Sequence, residues 1–351
     1  MFEQPSREHA DALFDYNNPE WYRRFLVHLR YDLDKRDYPR MAETVARFLN
    51  KELDISPIEP QDDDATFEPD VEQLRTRGFC RLGVRLTEKQ VLDVRESIMD
   101  RPLTDQWDVV PGQFQFETVP DSVNAAVYDQ ETAATASHLA ELANHPDVLA
   151  RVGAYLDAPP TIQHYELWWS FANREQAMGP QLFHVDQACY KFVKLFVYLT
   201  DVDEHAGPHV YIPGSASQAF LDERILAMEQ LKPGLGKIAK RMLGNVRASD
   251  RDIETIFGAE RLETITGRAG DAFLVDTSGF HRGLLPSKNN RLIFQALYTL
   301  LPRIRGAVAP NVIPGFINRL ADCSSRSVSH EALRYINRLV VRDPSREAVD
   351  S

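Results

Sequence analysis

A series of short apolar runs broken by turn residues fills residues 161 to 301, and it constrains the fold more than any other feature. The runs are Thr161–Phe171, Gln181–Val185, Phe192–Leu199, His209–Pro213, Asp271–Val275, Gly279–Leu284 and Arg291–Leu300. Gly179-Pro180, Asp201–Gly207, Pro213-Gly214 and Ser287–Asn290 punctuate them. Runs of this length with such flanks read as β-strands. Many short strands in one stretch predict a mainly β core, a sandwich or jelly-roll barrel, with helices around it.

The flanking segments have a different texture. Residues 1–53 read as helical: Pro19 opens one helix carrying Trp21, Phe25, Leu26 and Leu29, and Tyr38–Leu53 carries Met41, Val45, Leu49 and Leu53 at spacing four. Residues 54–69, with Pro57, Pro60, Asp62-Asp63-Asp64 and Pro69, have a linker composition, so 1–69 is expected to be a helical N-terminal extension and linker. From there Val71–Arg77 reads as helix, Gly78–Gly83 as strand, Leu86–Met99 as helix opened by a Thr87-x-x-Gln90 capping pattern, and Thr132–Leu156 as two helices broken near Pro146. The expected central domain spans 70–301. A helical insertion at about 215–262, turned by Pro233-Gly234, interrupts its strands and is expected to cover the barrel mouth. Residues 302–351 form a tail, with a helix around His330–Val341, expected to pack on the barrel.

In Gln181-Leu-Phe-His-Val-Asp-Gln187, His184 and Asp186 stand two positions apart. Side chains alternate along a strand, so on a strand both project from one face while Val185 points away. Such a pair can chelate one ion with little rearrangement. A second histidine, His281, follows the run Asp271–Val275 and the small turn residues Thr277-Ser278-Gly279. Two imidazoles and one carboxylate are the ligand set of a non-haem Fe(II) oxygenase, in which the opposite face of the metal stays open. The triplet alone arises readily by chance, and a satisfied core histidine beside a solvated aspartate is the plain alternative. Its position among strands, with His281 after a glycine turn and an arginine at the head of the next run, favours ligation. That arginine, Arg291, precedes Leu292–Leu300. A guanidinium grips a carboxylate through two parallel hydrogen bonds, which suits it to the distal carboxylate of 2-oxoglutarate. A surface arginine after the Lys288-Asn-Asn turn is the other reading.

Composition bounds the function classes. The formal charge of −12 argues against general affinity for nucleic acid or anionic membranes. Three scattered cysteines, Cys80, Cys189 and Cys323, give no disulfide framework and no structural zinc spacing. The chain has no apolar run of membrane-spanning length, and Met1–His9 does not read as a secretory signal, so a cytoplasmic protein acting on a small molecule is expected. Oligomeric state and substrate identity are not legible.

The ordered blocks Gln181-Leu-Phe-His-Val-Asp-Gln187, Lys194-Leu-Phe-Val-Tyr-Leu-Thr-Asp-Val-Asp203, Gly207-Pro-His-Val-Tyr-Ile-Pro-Gly-Ser215, Asp276-Thr-Ser-Gly-Phe-His-Arg-Gly283 and Arg291 together resemble the phytanoyl-CoA dioxygenase-like family of Fe(II)/2-oxoglutarate-dependent oxygenases. The resemblance covers about residues 70–301. It implies a double-stranded β-helix, the cupin-like jelly-roll barrel, with Fe(II) held by His184, Asp186 and His281 and the cosubstrate 2-oxoglutarate bound by Arg291. Gln181 matches a glutamine that family members often carry near the cosubstrate. His209 stands where a threonine is frequent, a departure that leaves its role open between cosubstrate contact and ordinary strand residue. The implied reaction consumes O2 and 2-oxoglutarate, releases succinate and carbon dioxide, and oxidises a small or medium organic metabolite. An aspartate at 186, rather than a small residue, favours hydroxylation, desaturation or ring closure over halogenation.

Other residues carry less. Lys194 and Tyr198 share a face of Phe192–Leu199 and are candidates to line the cavity, a buried lysine needing a partner. Trp168 and Trp169 must point to opposite faces, one toward the pocket. His164 and His205 have no ligand partner at chelating spacing, and Cys189 reads as a small packing residue. Two rival classes remain: a cupin-like metal-dependent isomerase or hydrolase, which would not need Arg291, and a degenerate barrel acting as a binding protein.

Overall fold

Alternation along the strands separates a helix-packed core from an open cavity, and the longest strands carry both. The computed structural model describes residues 34–60, 65–302, 309–324 and 327–346. The strands are β1 (Phe79–Arg81), β2 (Leu103–Asp105), β3 (Gln113–Phe114), β4 (Ala125–Tyr128), β5 (Thr161–Ser170), β6 (Phe192–Tyr198), β7 (His209–Tyr211), β8 (Glu263–Ile265), β9 (Ala272–Val275), β10 (His281–Gly283) and β11 (Arg291–Thr299). Among the described residues, an eight-stranded antiparallel sheet runs β1-β9-β6-β11-β5-β4-β2-β3, and a three-stranded antiparallel sheet runs β10-β7-β8. Phe196, Tyr198, Phe273 and Ile293 of the large sheet pack with Tyr211 and Ile265 of the small one. This is the expected jelly roll.

β11 is buried along its whole length. Leu292, Phe294 and Ala296 enter the helix-packed core, while Arg291, Ile293 and Gln295 face a cavity. Burial on both faces is why the strand reads as a continuous apolar run rather than an alternating one. β5 splits the same way: Leu167 and Trp169 join the core, and His164, Glu166, Trp168 and Ser170 line the cavity.

The helices are α1 (Tyr38–Glu52), α2 (Phe67–Arg77), α3 (Glu88–Ile98), α4 (Gln130–Thr135), α5 (Leu139–Ala143), α6 (Pro146–Leu156), α7 (Gln218–Leu231), α8 (Leu235–Leu243), α9 (Asp250–Phe257), α10 (Phe316–Cys323) and α11 (His330–Asn337). α3 starts with the expected reciprocal cap, Thr87 accepting from Gln90 N while the Gln90 side chain accepts from Thr87 N. α6 carries Pro146 in its first turn, which ends α5 before it. α1 buries Ala42, Ala46 and Leu49 in the same core as the large sheet. The helix expected from Pro19 lies outside the described residues, as does the run Asp62–Asp64.

Two local expectations differ from the structure. Gln181–Val185 is not a strand: Gly179–Gln181 is a 3-10 turn, and His184 forms isolated bridges to His281 and Arg247. The Gln181 side chain explains the turn, because its Oε1 accepts from Met178 N and from Asn124 Nδ2, 2.9 Å each. The helical excursion is also not purely a cover for the mouth. α7–α9 bury Leu221, Met228, Ile253, Ile256 and Phe257 against Phe183, Val185, Val210, Ile212 and Phe280 in a cluster of their own. Only Val246 and Arg247, between α8 and α9, reach the cavity wall.

Candidate metal centre

His184, Asp186 and His281 each offer one ligand atom, and these atoms all lie within 4.8 Å of one another. His184 Nε2 is 3.8 Å from Asp186 Oδ1, and His281 Nε2 is 3.7 Å from Asp186 Oδ2. It is the only such group of histidine, cysteine and acidic side chains among the described residues. His164 and His205 belong to no such group.

Backbone geometry aims each donor. Two bridge hydrogen bonds, His184 N to His281 O at 2.9 Å and His281 N to His184 O at 3.0 Å, clamp the two segments side by side. His184 Nδ1 donates to Leu182 O and His281 Nδ1 to Gly279 O, both at 2.9 Å. A carbonyl only accepts, so each Nδ1 carries the proton and each Nε2 keeps its lone pair for a metal. Asp186 N donates to Thr277 O at 2.8 Å. Thr277 and Gly279 belong to one turn, whose anchor is Asp276. The buried Asp276 carboxylate accepts from Ser278 N at 2.9 Å and from Tyr155 OH at 2.6 Å, and Tyr211 OH donates to Asp276 O at 2.8 Å. Burial raises the Asp276 carboxyl, against the pull of the Ser278 and Tyr155 hydrogen bonds.

The electrostatics suit a cation. Burial lowers His184 and brings His281 down to about 3, with the neighbouring imidazole adding to the effect on His281. Both are neutral near pH 7 and ready to ligate. Burial alone would raise Asp186, but Lys194, His281 and His184 outweigh it and hold the carboxyl well below the usual range. Lys194 Nζ lies 2.8 Å from Asp186 Oδ2, which supplies the partner that a buried lysine needs. Tyr198 does not line the cavity; its hydroxyl donates to Ile265 O at 2.7 Å and accepts from His209 N.

The metal group opens onto a cavity of about 550 Å³. Gln181, His209 and Arg291 line it with the triad. Arg291 is 4% exposed; its Nη1 donates to Gly207 O and its Nη2 to Ser170 Oγ, 3.1 Å. These partners are neutral, so the guanidinium charge is uncompensated among the described residues. Its Nε, with His209 Nε2 and Gln181 Nε2, is buried without a hydrogen-bond partner. His209 stacks on the His281 ring at 5.4 Å, and burial, with His281 and Arg291, pushes it well below its ordinary value. Trp168 borders the cavity, while Trp169 packs in the core and donates to Tyr128 OH at 3.2 Å. Sequence reading missed Asp276, Ser170, Glu166 and Gln295. Three of these share strand faces with Trp168 or Arg291 at period two, a signal present in the chain; Asp276 gave none, since its partners Tyr155 and Tyr211 are distant in sequence.

A jelly roll thus brings two imidazoles, a carboxylate and a buried arginine around one cavity, a group that could hold a metal ion. The chain belongs to the phytanoyl-CoA dioxygenase family, whose model matches residues 74–285. No curated protein matches it. Among solved structures it is similar to the non-heme alpha ketoglutarate dependent carbocyclase SnoK from nogalamycin biosynthesis (17% identity, 68% of this chain and 86% of that one, TM-score 0.44). It is also similar to HygX from Streptomyces hygroscopicus with nickel and 2-oxoglutarate bound (17% identity, 70% and 90%, TM-score 0.44). A third is EctD from S. alaskensis with 2-oxoglutarate and 5-hydroxyectoine (15% identity, 70% and 80%, TM-score 0.43). These likenesses are too distant to carry an activity to this chain. No helix among the described residues is long and apolar enough to cross a membrane.

Proposed function

We propose that this chain is an Fe(II)/2-oxoglutarate-dependent oxygenase that hydroxylates a small or medium organic metabolite. The observation that carries the reading is the meeting of two neutral imidazoles, one ionised carboxylate and an uncompensated buried guanidinium in a single cavity. In it His184, Asp186 and His281 hold the metal, and Arg291 binds the distal carboxylate of 2-oxoglutarate. The fit is chemical: the donor set suits Fe(II), and a buried arginine with an orphaned Nε calls for an anion. Ser170, already bonded to Arg291, supplies a hydroxyl beside the same carboxylate. Gln181 and His209, each with a buried polar atom lacking a partner, are the further cosubstrate contacts.

When bound, Fe(II) would supply oxidation of a substrate C–H bond by dioxygen with 2-oxoglutarate as co-reductant, one oxygen atom leaving in succinate as carbon dioxide is released and the other entering the substrate. The protein's part is orientation and exclusion of water. Lys194 fixes one carboxylate oxygen of Asp186. The carbonyls of Leu182 and Gly279 fix the two imidazole planes. Phe196, Trp168 and Ile293 give the wall an apolar surface that limits water near the oxidised carbon. The rival isomerase or hydrolase reading has no use for Arg291. The test is Fe(II)-dependent turnover of 2-oxoglutarate to succinate, expected in the wild type and lost in Asp186→Ala; turnover that persists in the variant would contradict the proposal.

A further inference from the structure

The cavity has a second polar centre across from the metal group. Glu166 of β5 and Gln295 of β11 stand opposite each other in register, and Phe196 of β6 continues the row. Gln295 Nε2 donates to Glu166 Oε2 at 2.9 Å and lies 3.2 Å from His164 Nε2. The amide nitrogen has two hydrogens and no lone pair to offer, so His164 Nε2 must accept the second one. His164 Nε2 also lies 3.5 Å from Glu166 Oε1, beside the carboxylate. No lysine or arginine pairs with Glu166 among the described residues, and its side chain keeps 39% of its surface open. The carboxyl group is held in orientation by Gln295 and open to the cavity, with Trp168 two positions along the same face.

We propose that Glu166 anchors a protonated amine of the substrate, deepening the oxygenase reading on which it rests. A fixed carboxylate flanked by aromatic faces is the chemistry that recognises an ammonium group. Carboxylic acids are disfavoured there by the charge, and neutral hydroxyl compounds leave it uncompensated. The register also sets the length of the substrate. His164 and Lys194 both stand opposite Leu297, two interstrand spacings or about 10 Å apart, and Lys194 touches Asp186. An amine held at Glu166 extends its carbon chain along Trp168 and Phe196 toward the metal group on the other sheet.

The experiment compares benzylamine, benzyl alcohol and benzoate as probes, by tryptophan fluorescence of the full-length protein with Fe(II) and 2-oxoglutarate under anaerobic conditions. The wild type is expected to bind benzylamine at least about tenfold more tightly than the other two, and Glu166→Gln, which keeps the side-chain shape, to lose that preference. Equal binding of amine and alcohol by the wild type, or a preference that survives in Glu166→Gln, overturns the inference. The visible charge-transfer band expected when Fe(II) and 2-oxoglutarate bind together, read on the same samples, reports the oxygenase reading separately. A band without amine preference removes this inference alone, and amine preference without a band removes the oxygenase reading alone.

Discussion

The two ends of the cavity are held in place by different means. At the metal end the main chain does the holding: Leu182 O and Gly279 O orient the imidazoles, Thr277 O takes Asp186 N, and Gly207 O takes Arg291. At the far end Glu166, Gln295 and His164 meet through their side chains. Main-chain anchors come with the fold and persist when neighbouring side chains change. A side-chain network is rewritten by one substitution. The fold is therefore expected to set the chemistry of the metal end, and replaceable side chains of the large sheet to set the choice of substrate.

Substitutions that enter the main-chain-anchored end should have the largest effects. His281→Ala removes a ligand, and Fe(II) affinity, measured by anaerobic titration, should fall by more than about 100-fold, beyond what loss of a supporting contact costs. Arg291→Ala should weaken 2-oxoglutarate by about 3 kcal/mol, roughly 100-fold, while Fe(II) still binds. Equal loss of both ligands would make Arg291 a structural residue and erase the distinction between metal and cosubstrate sites. Asp276→Asn tests the anchor of the turn. An amide puts an NH2 group where one of the two carboxylate oxygens accepted, from either Ser278 N or Tyr155 OH, so Fe(II) affinity should fall about tenfold with helix content unchanged.

Acid sensitivity sharpens the same contrast. Burial holds His184, His209 and His281 below their ordinary values. For a histidine with a depressed folded value, the stabilisation is present above the unfolded value of about 6.5 and is lost as pH falls toward the folded one. Each such imidazole steepens the loss by up to about 1.4 kcal/mol per pH unit in that window. Denaturant melts of metal-free protein should therefore show a shallower pH slope in His209→Gln, and an unchanged slope would mean that His209 is not buried neutral. The smallest effect is expected at the far end. Trp168→Phe should leave Fe(II) and 2-oxoglutarate affinities within about twofold, as for sites without shared partners.

The chemistry was legible in the chain where it depended on spacing and on runs. His184-Val-Asp186, His281 after its glycine turn, and Arg291 at the head of the apolar run are local patterns; His281 and Arg291 do head strands, β10 and β11, whereas His184 and Asp186 lie outside any strand. The turn at Gly179–Gln181 was not legible, because it depends on Asn124, far away in the chain, donating from Nδ2 to Gln181 Oε1. β2, β3 and β4 are too short to carry a periodicity and exist by successive pairing, β4 onto β5, β2 onto β4 and β3 onto β2. The His164–Glu166–Gln295 group joins residues about 130 apart, so only the register of β5 with β11 brings it together. The Asp276 anchor depends on Tyr155 of α6 in the same way.

The most direct test of the account is optical. Protein loaded anaerobically with Fe(II) should develop a visible charge-transfer band when 2-oxoglutarate is added, and His184→Ala should abolish it. A wild-type protein that gives no band, or a band that survives His184→Ala unchanged, would contradict the central claim that this cavity is an Fe(II)/2-oxoglutarate site.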